Sequence, residues 1–151
     1  MQIRPYKTGD RGQVKDLVSN ILDAEFSFGK KAYEYCDLDS IDSIYGGKRE
    51  AFFVLVDKGV IGGTAGVKEE THKIAIIRRL FVAKQLRKKG YGGLLLDRAI
   101  DFCREKGYHE AVFHAANAMT SAIDLCRSRG FNEKEKLELG GINIIRFSLE
   151  L

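Results

Sequence analysis

Between residues 78 and 93 the chain sets six cations, Arg78, Arg79, Lys84, Arg87, Lys88 and Lys89, around Gly90-Tyr91-Gly92-Gly93. Apolar Leu80-Phe81-Val82 precedes the loop and Leu94-Leu95-Leu96 follows it. The order reads as a strand end, a basic loop and the opening of a helix. Such a junction brings unpaired backbone N–H groups and the positive end of a helix dipole together, making an anion site suited to a diphosphate. A P-loop would need Gly-Lys-Ser/Thr where Gly92-Gly93-Leu94 stands. A dinucleotide fingerprint would need Gly or Ala in place of Leu95. Neither motif fits.

Other reactive side chains carry less. Cys36, Cys103 and Cys126 are irregularly spaced, giving neither a disulfide framework nor a metal pair. His72, His109 and His114 lack metal-ligand spacing, so no metal is expected. His114 lies on an apolar stretch and reads as a core or pocket-wall residue. The net charge of +4 is too mild for nucleic acid to be the main partner, so the cations near the loop favour a small anion. A solvated basic face is the plainer alternative. No apolar run approaches a membrane span and no signal-peptide core follows Met1. The expectation is a cytoplasmic protein with no membrane partner.

The elements that must position this loop follow from periodicity. Residues 2–6 alternate as a short strand, with Pro5 placing it at an edge or end. Thr8-Gly9-Asp10 opens a helix carrying Val14, Leu17, Val18, Ile21 and Leu22. Residues 25–47 predict a short helix and loop, whose Tyr33, Tyr35 and Tyr45 either pack or line a substrate pocket. Residues 51–56 are a strand covered on both faces, hairpinned through Asp57-Lys58-Gly59 to residues 60–67. Glycines 62, 63 and 66 in that second strand imply close approach to its backbone. A third strand, 73–82, runs into the loop. A helix over 91–106 buries Leu94, Leu95, Leu96, Ala99, Ile100, Phe102 and Cys103. A strand at 111–115, a helix at 118–129 and a hairpin of 131–139 with 142–149 complete the chain. The order predicts one α/β (α+β) domain over residues 1–151. Its mixed, mostly antiparallel sheet has about six to seven strands, flanked by about four helices.

Arg87-Lys88-Lys89-Gly90-Tyr91-Gly92 after Leu80-Phe81-Val82 resembles the Gln/Arg-x-x-Gly-x-Gly/Ala signature of the GCN5-related N-acetyltransferase superfamily. Downstream, Ala122-Ile123-Asp124-Leu125-Cys126 and Gly130-Phe131 resemble its Ala-Ile-x-Leu-Tyr-x-x-x-Gly-Phe block at the usual separation. The resemblance is specific over about residues 50–131, and the element order extends it to the whole chain. It implies the superfamily fold and acetyl-CoA as cosubstrate, with an amine as acceptor and a homodimer as one possible assembly. It places the pyrophosphate on the amides of residues 88–93, namely Lys88, Lys89, Gly90, Tyr91, Gly92 and Gly93. The pantetheine arm would run along Leu80, Phe81 and Val82, with Arg87 as the first signature residue. Asn117 either caps the following helix or touches the arm.

The sequence departs from the family at two chemical positions. Ile76 stands where members often carry a Glu, and Cys126 where they often carry a Tyr that protonates the departing thiolate. Deprotonation of the amine then falls to water or to a carboxylate such as Glu25, Asp37, Glu69 or Glu70. Cys126 is a packing residue, a weak acid beside the CoA sulfur, or an acyl-accepting nucleophile. The implied function is N-acetyl transfer by direct attack in a ternary complex, with a non-catalytic acyl-CoA-binding module as the alternative.

Overall fold

Residues 1–25 and 36–151 are described by a computed structural model of the chain. Strand β2 (Ala51–Asp57) shows why its sequence is continuously apolar. Phe53 and Leu55 enter one core, while Phe52 and Val54 enter a second on the opposite face. Lys58 and Gly59 both adopt left-handed backbone, at φ 51° and 79°, and close a two-residue turn onto β3 (Val60–Glu69). β4 (Ile74–Val82) continues the antiparallel meander. Helix α3 (Tyr91–Glu105) then crosses over to β5 (Glu110–Ala116), which runs parallel to β4. The terminal hairpin of β6 (Asn132–Leu139) and β7 (Ile142–Glu150) adds β7 beside β5 and leaves β6 at the edge. At the other edge, β1 (Gln2–Pro5) pairs with β2. The seven-stranded order is β1-β2-β3-β4-β5-β7-β6, mixed and mostly antiparallel as expected.

Helix α1 (Arg11–Glu25) and the short α2 (Ile41–Ile44) cover one face. There Val14, Val18, Ile21 and Leu22 meet Phe52, Val54 and Phe81. α3 and α4 (Thr120–Ser128) cover the other, where Leu95, Leu96, Ile100 and Ile123 meet Leu55, Val67 and Ile77. Thr8–Asp10 is a separate 3-10 turn, fastened by Asp10 to Arg4 at 2.7 Å. One residue of the expected α3 face departs from prediction. Leu94 is 52% exposed and Gly93 is buried instead, because the helix turns its inner arc through 93, 96 and 100. Phe26, Phe28, Tyr33 and Tyr35 lie outside the described residues.

The β3 glycines serve close packing. A Cβ on Gly63 would lie 2.8 Å from Leu95 Cδ1 and 3.1 Å from the Phe81 carbonyl oxygen. One on Gly66 would lie 2.8 Å from the Tyr45 ring. These contacts let α3 and Tyr45 sit directly on the strand.

Two irregularities in β4 open the sheet. The β3–β4 register shifts between Thr64 and Gly66. There Arg79 takes φ 54°, and the Thr64 hydroxyl donates to its carbonyl at 2.7 Å. A left-handed, non-glycine residue costs about 1–3 kcal/mol and needs its surroundings to hold it. Here a buried ion pair does so: the Arg79 guanidinium donates to both Asp37 oxygens at 3.0 and 2.6 Å, and Tyr45 donates to the same carboxylate at 2.7 Å. β4 and β5 pair only over residues 74–77 and 110–113. Beyond Ile77 the two strands part.

Candidate active site

The parting strands leave a cavity of about 620 Å³ on the side of the glycine loop. Leu80, Phe81 and Val82 form one wall from β4. Arg87, Lys88, Gly90, Tyr91, Gly92 and Gly93 form its end, and Ser121, Ala122 and Leu125 of α4 face them. Nine of the residues expected to hold the cosubstrate therefore meet in one cleft. Lys89 is exposed and outside the lining. Asn117 is exposed as well; its backbone N–H donates to the Asn143 carbonyl, and α4 begins from Met119 without a side-chain cap. The cap expected at Asn117 is not formed. The turn at Ala116 and the bond to Met119 start the helix two residues later.

Local backbone shapes the anion end. A 3-10 turn (Lys84–Leu86) leads to Lys88 at φ 61° and to Gly90 at φ 85°, the residue that caps α3. Two left-handed residues so close together make a tight turn, and the first α3 amides have no side-chain partner at the cap. The Arg87 side chain is committed elsewhere. It donates to the Val82 carbonyl at 2.9 Å and grips Glu25 with both outer nitrogens, one at 2.7 Å. It ties the loop to α1 and to β4. The side chain of the first signature residue therefore holds the loop in place, and Lys88 stands exposed beside it.

A second cavity of about 300 Å³ lies between the same strands. It shares Leu80, Phe81 and Met119 with the first, so the two spaces adjoin there. Ile76 lines it, at the position where the family carries its Glu. Glu69, Glu70, Arg78 and His114 surround it, so of the two places expected for His114, core or pocket wall, it takes the wall. Glu70 accepts from Arg146 at 2.6 and 3.1 Å, and Arg146 lies 3.1 Å from His114 Nε2. A guanidinium only donates, so Nε2 accepts and the ring proton sits on Nδ1. Burial, and then Arg146, lower the His114 pKa and keep the ring neutral.

All four candidate bases are already paired. Arg87 holds Glu25 below the usual carboxylate range, and Arg146 does the same for Glu70. Burial pushes Asp37 up, but the Arg79 and Tyr45 bonds outweigh it and leave its pKa lowered. Glu69 pairs with Arg49. Glu25, Asp37 and Glu70, stabilised in their charged form, are weak bases, and Glu69 is engaged by its ion pair.

Cys126 has no exposed surface and belongs to the main core, not to the cleft lining. Burial pushes its thiol up to about 12. Its neighbour Leu125 is the residue that faces the cleft. Tyr45 likewise packs, edge-on to Phe52 with centroids 5.0 Å apart. Among the described residues, no group of three or more His, Cys, Asp and Glu is placed to hold a metal ion. No helix among them is long and apolar enough to cross a membrane.

The architecture recurs in solved structures. A GNAT-family acetyltransferase from Staphylococcus aureus Mu50 superposes with a TM-score of 0.88 at 20% identity, covering 99% of this chain and 98% of that one. A ribosomal-protein-alanine N-acetyltransferase from Brucella melitensis gives 0.86 at 17% identity with both chains fully covered. The yncA protein of Salmonella typhimurium, solved with its cofactor acetyl-CoA, gives 0.78 at 20% identity over 99% and 93%. At such identities the likeness speaks for the fold. No curated protein matches the chain in sequence. The profile of the Acetyltransferase (GNAT) family matches residues 16–131, which include both the loop and α4. The chain therefore belongs to the GNAT acetyltransferases, the family whose members acetylate with acetyl-CoA as cosubstrate.

Proposed function

We propose that this protein is an N-acetyltransferase that passes the acetyl group from acetyl-CoA to a primary amine by direct attack in a ternary complex. The observation that carries the reading is the pair of cavities adjoining at Leu80, Phe81 and Met119. One space suits the pantetheine arm and phosphates, the other suits a small acceptor, and the thioester falls at their junction. Loop amides from Lys88 to Gly93 hold the diphosphate, and β4 backbone beside Val82 holds the arm. Backbone N–H groups at the β4 wall polarise the thioester carbonyl, and proximity supplies much of the rate.

Water accepts the amine proton in this scheme, because Glu25, Asp37, Glu69 and Glu70 are each held by a cation. Cys126 packs, and solvent protonates the departing thiolate. The charged, exposed β6 edge discourages strand-to-strand pairing, so a homodimer would form through other surfaces. A free-thiol assay of CoA release, run with acetyl-CoA and a panel of amines, tests the reading. Amine-dependent release is expected. Stabilisation by acetyl-CoA with background release throughout would favour a non-catalytic binding module, the reading that the absent acid and base support.

A further inference from the structure

The smaller cavity carries a charge imbalance that suggests its ligand, an inference resting on the transferase reading above. Six lining residues can carry charge: Lys68, Glu69, Glu70, Arg78, Arg79 and His114. Lys68 pairs with Glu50 at 3.1 Å, Glu69 with Arg49, Glu70 with Arg146 at 2.6 Å and Arg79 with Asp37 at 2.6 Å. His114 is neutral, with its Nε2 already accepting from Arg146. Arg78 remains. It is half-buried and lines the cavity, and its guanidinium makes no hydrogen bond or ion pair with any described residue, its charge acting only at longer range on Asp37 and His114.

A half-withdrawn guanidinium with no hydrogen-bonding partner among the described residues bears a desolvation cost that a bound anion would offset. The planar fork matches a carboxylate in two-point geometry. The proton on His114 Nδ1 makes that ring a further donor rather than a competing base. Arg78 lies two residues before Leu80, so no more than about 7 Å of backbone separates it from the junction of the two cavities. An amine at that junction and a carboxylate on Arg78 are within the span of one small molecule. The volume of about 300 Å³ is at the small end of ligand sites.

We propose that the acceptor is a small amine that also carries a carboxylate, and that Arg78 binds that carboxylate. The probe is a set of aminocarboxylic acids, free α-amino acids and short ω-amino acids, each beside its own carboxamide, with simple alkylamines as a third series. CoA release is followed for the wild type, Arg78→Gln and Arg78→Lys. The acids are expected to exceed their amides roughly 10- to 100-fold in kcat/KM, through KM. Arg78→Gln should close that gap without altering the KM for acetyl-CoA, and Arg78→Lys should restore part of it. Equal use of acids, amides and alkylamines would overturn the inference and leave the transferase reading standing. So would an acid preference that survives Arg78→Gln. No release from any acid also overturns it. If acetyl-CoA in the same samples also fails to raise Tm, the transferase reading falls as well.

Discussion

Gly92 offers a sharp test of where the phosphates lie. It occupies the first turn of α3, and a Cβ there would sit 3.5 Å from Leu125 Cδ2 and 3.7 Å from Val82 Cγ2. Both are ordinary contacts, so Gly92→Ala fits without moving either wall. It should keep the ligand site while gaining a few tenths to about 1 kcal/mol of helix preference. Gly92→Val adds two γ-methyls that either crowd Leu125 and Val82 or project over the loop amides. Crowding costs about 1–3 kcal/mol of stability. Covering one amide removes a charge-assisted hydrogen bond of about 1.5–3 kcal/mol, roughly ten- to a hundredfold in Kd. With CoA at about 100 times the wild-type Kd, the ligand contributes about 2.7 kcal/mol. At about 2–4 °C per kcal/mol for a chain of this size, Tm should rise by about 5–11 °C. The valine variant, at the same concentration, should gain only about 1–6 °C over its own apo value, roughly half or less of the wild-type shift. Differential scanning fluorimetry with calorimetric titration measures both quantities. A full ligand shift in Gly92→Val, or its loss in Gly92→Ala, would refute the placement of the diphosphate against this turn.

Four further outcomes follow from the same geometry. Cys126→Ser should lower stability by about 1–3 kcal/mol, through a hydroxyl buried among apolar groups, and leave kcat unchanged; a large fall in kcat with an intact fold would restore a chemical role. Arg79→Met strands Asp37 and should cost about 3–5 kcal/mol in urea unfolding, whereas the double variant with Asp37→Leu should be more stable than either single variant. The lowered carboxyl pKa values of Asp10, Asp37, Glu25 and Glu70 give stability that is present above their unfolded values and lost as pH falls through the folded ones; His114, also lowered, adds loss beginning below about pH 6.5. Urea midpoints between pH 7.5 and 3.5 should fall throughout, and His114→Gln should flatten the upper part of that slope. Glu25→Gln releases Arg87 beside the phosphate loop and should tighten CoA binding in a calorimetric titration, with little change in Tm because the pair is partly exposed.

Much of the scaffold was legible because each strand and helix is written in local terms. The alternation at Phe52, Phe53, Val54 and Leu55 encodes a strand between two cores, and Lys58-Gly59 encodes its turn. The spacing of Arg87, Gly90 and Gly92 located the cleft. What sequence could not supply are pairings made over long separations. Arg87 meets Glu25 across 62 positions, Arg79 meets Asp37 across 42, and Arg146 meets Glu70 across 76. Those contacts decide which carboxylates are free, and no local pattern records them. Leu94 was misplaced because three consecutive leucines cannot all lie on one helical arc. In sequence Arg78 is one cation of six, and only the ion pairs around it single it out as lacking a side-chain partner among the described residues.

The four-residue seam between β4 and β5 divides the sheet's hydrogen-bond ladder unevenly. Alternate amides of β4 point to opposite neighbours: within residues 74–77 both sides have a paired strand, whereas beyond Ile77 only the β3 side does and the other side is an open gap. Hydrogen exchange of the amides on the β5 side should therefore change abruptly along a single strand, slow up to Ile77 and faster toward Val82. The two parts of the sheet, β1 to β4 and β5 to β7, share few rungs and can breathe against each other about the seam. A pantetheine arm laid in the gap, as proposed above, would supply the missing rungs. Cosubstrate binding would thus act as a splint, slowing exchange in β4 and β5 together and setting the width of the space left for the acceptor.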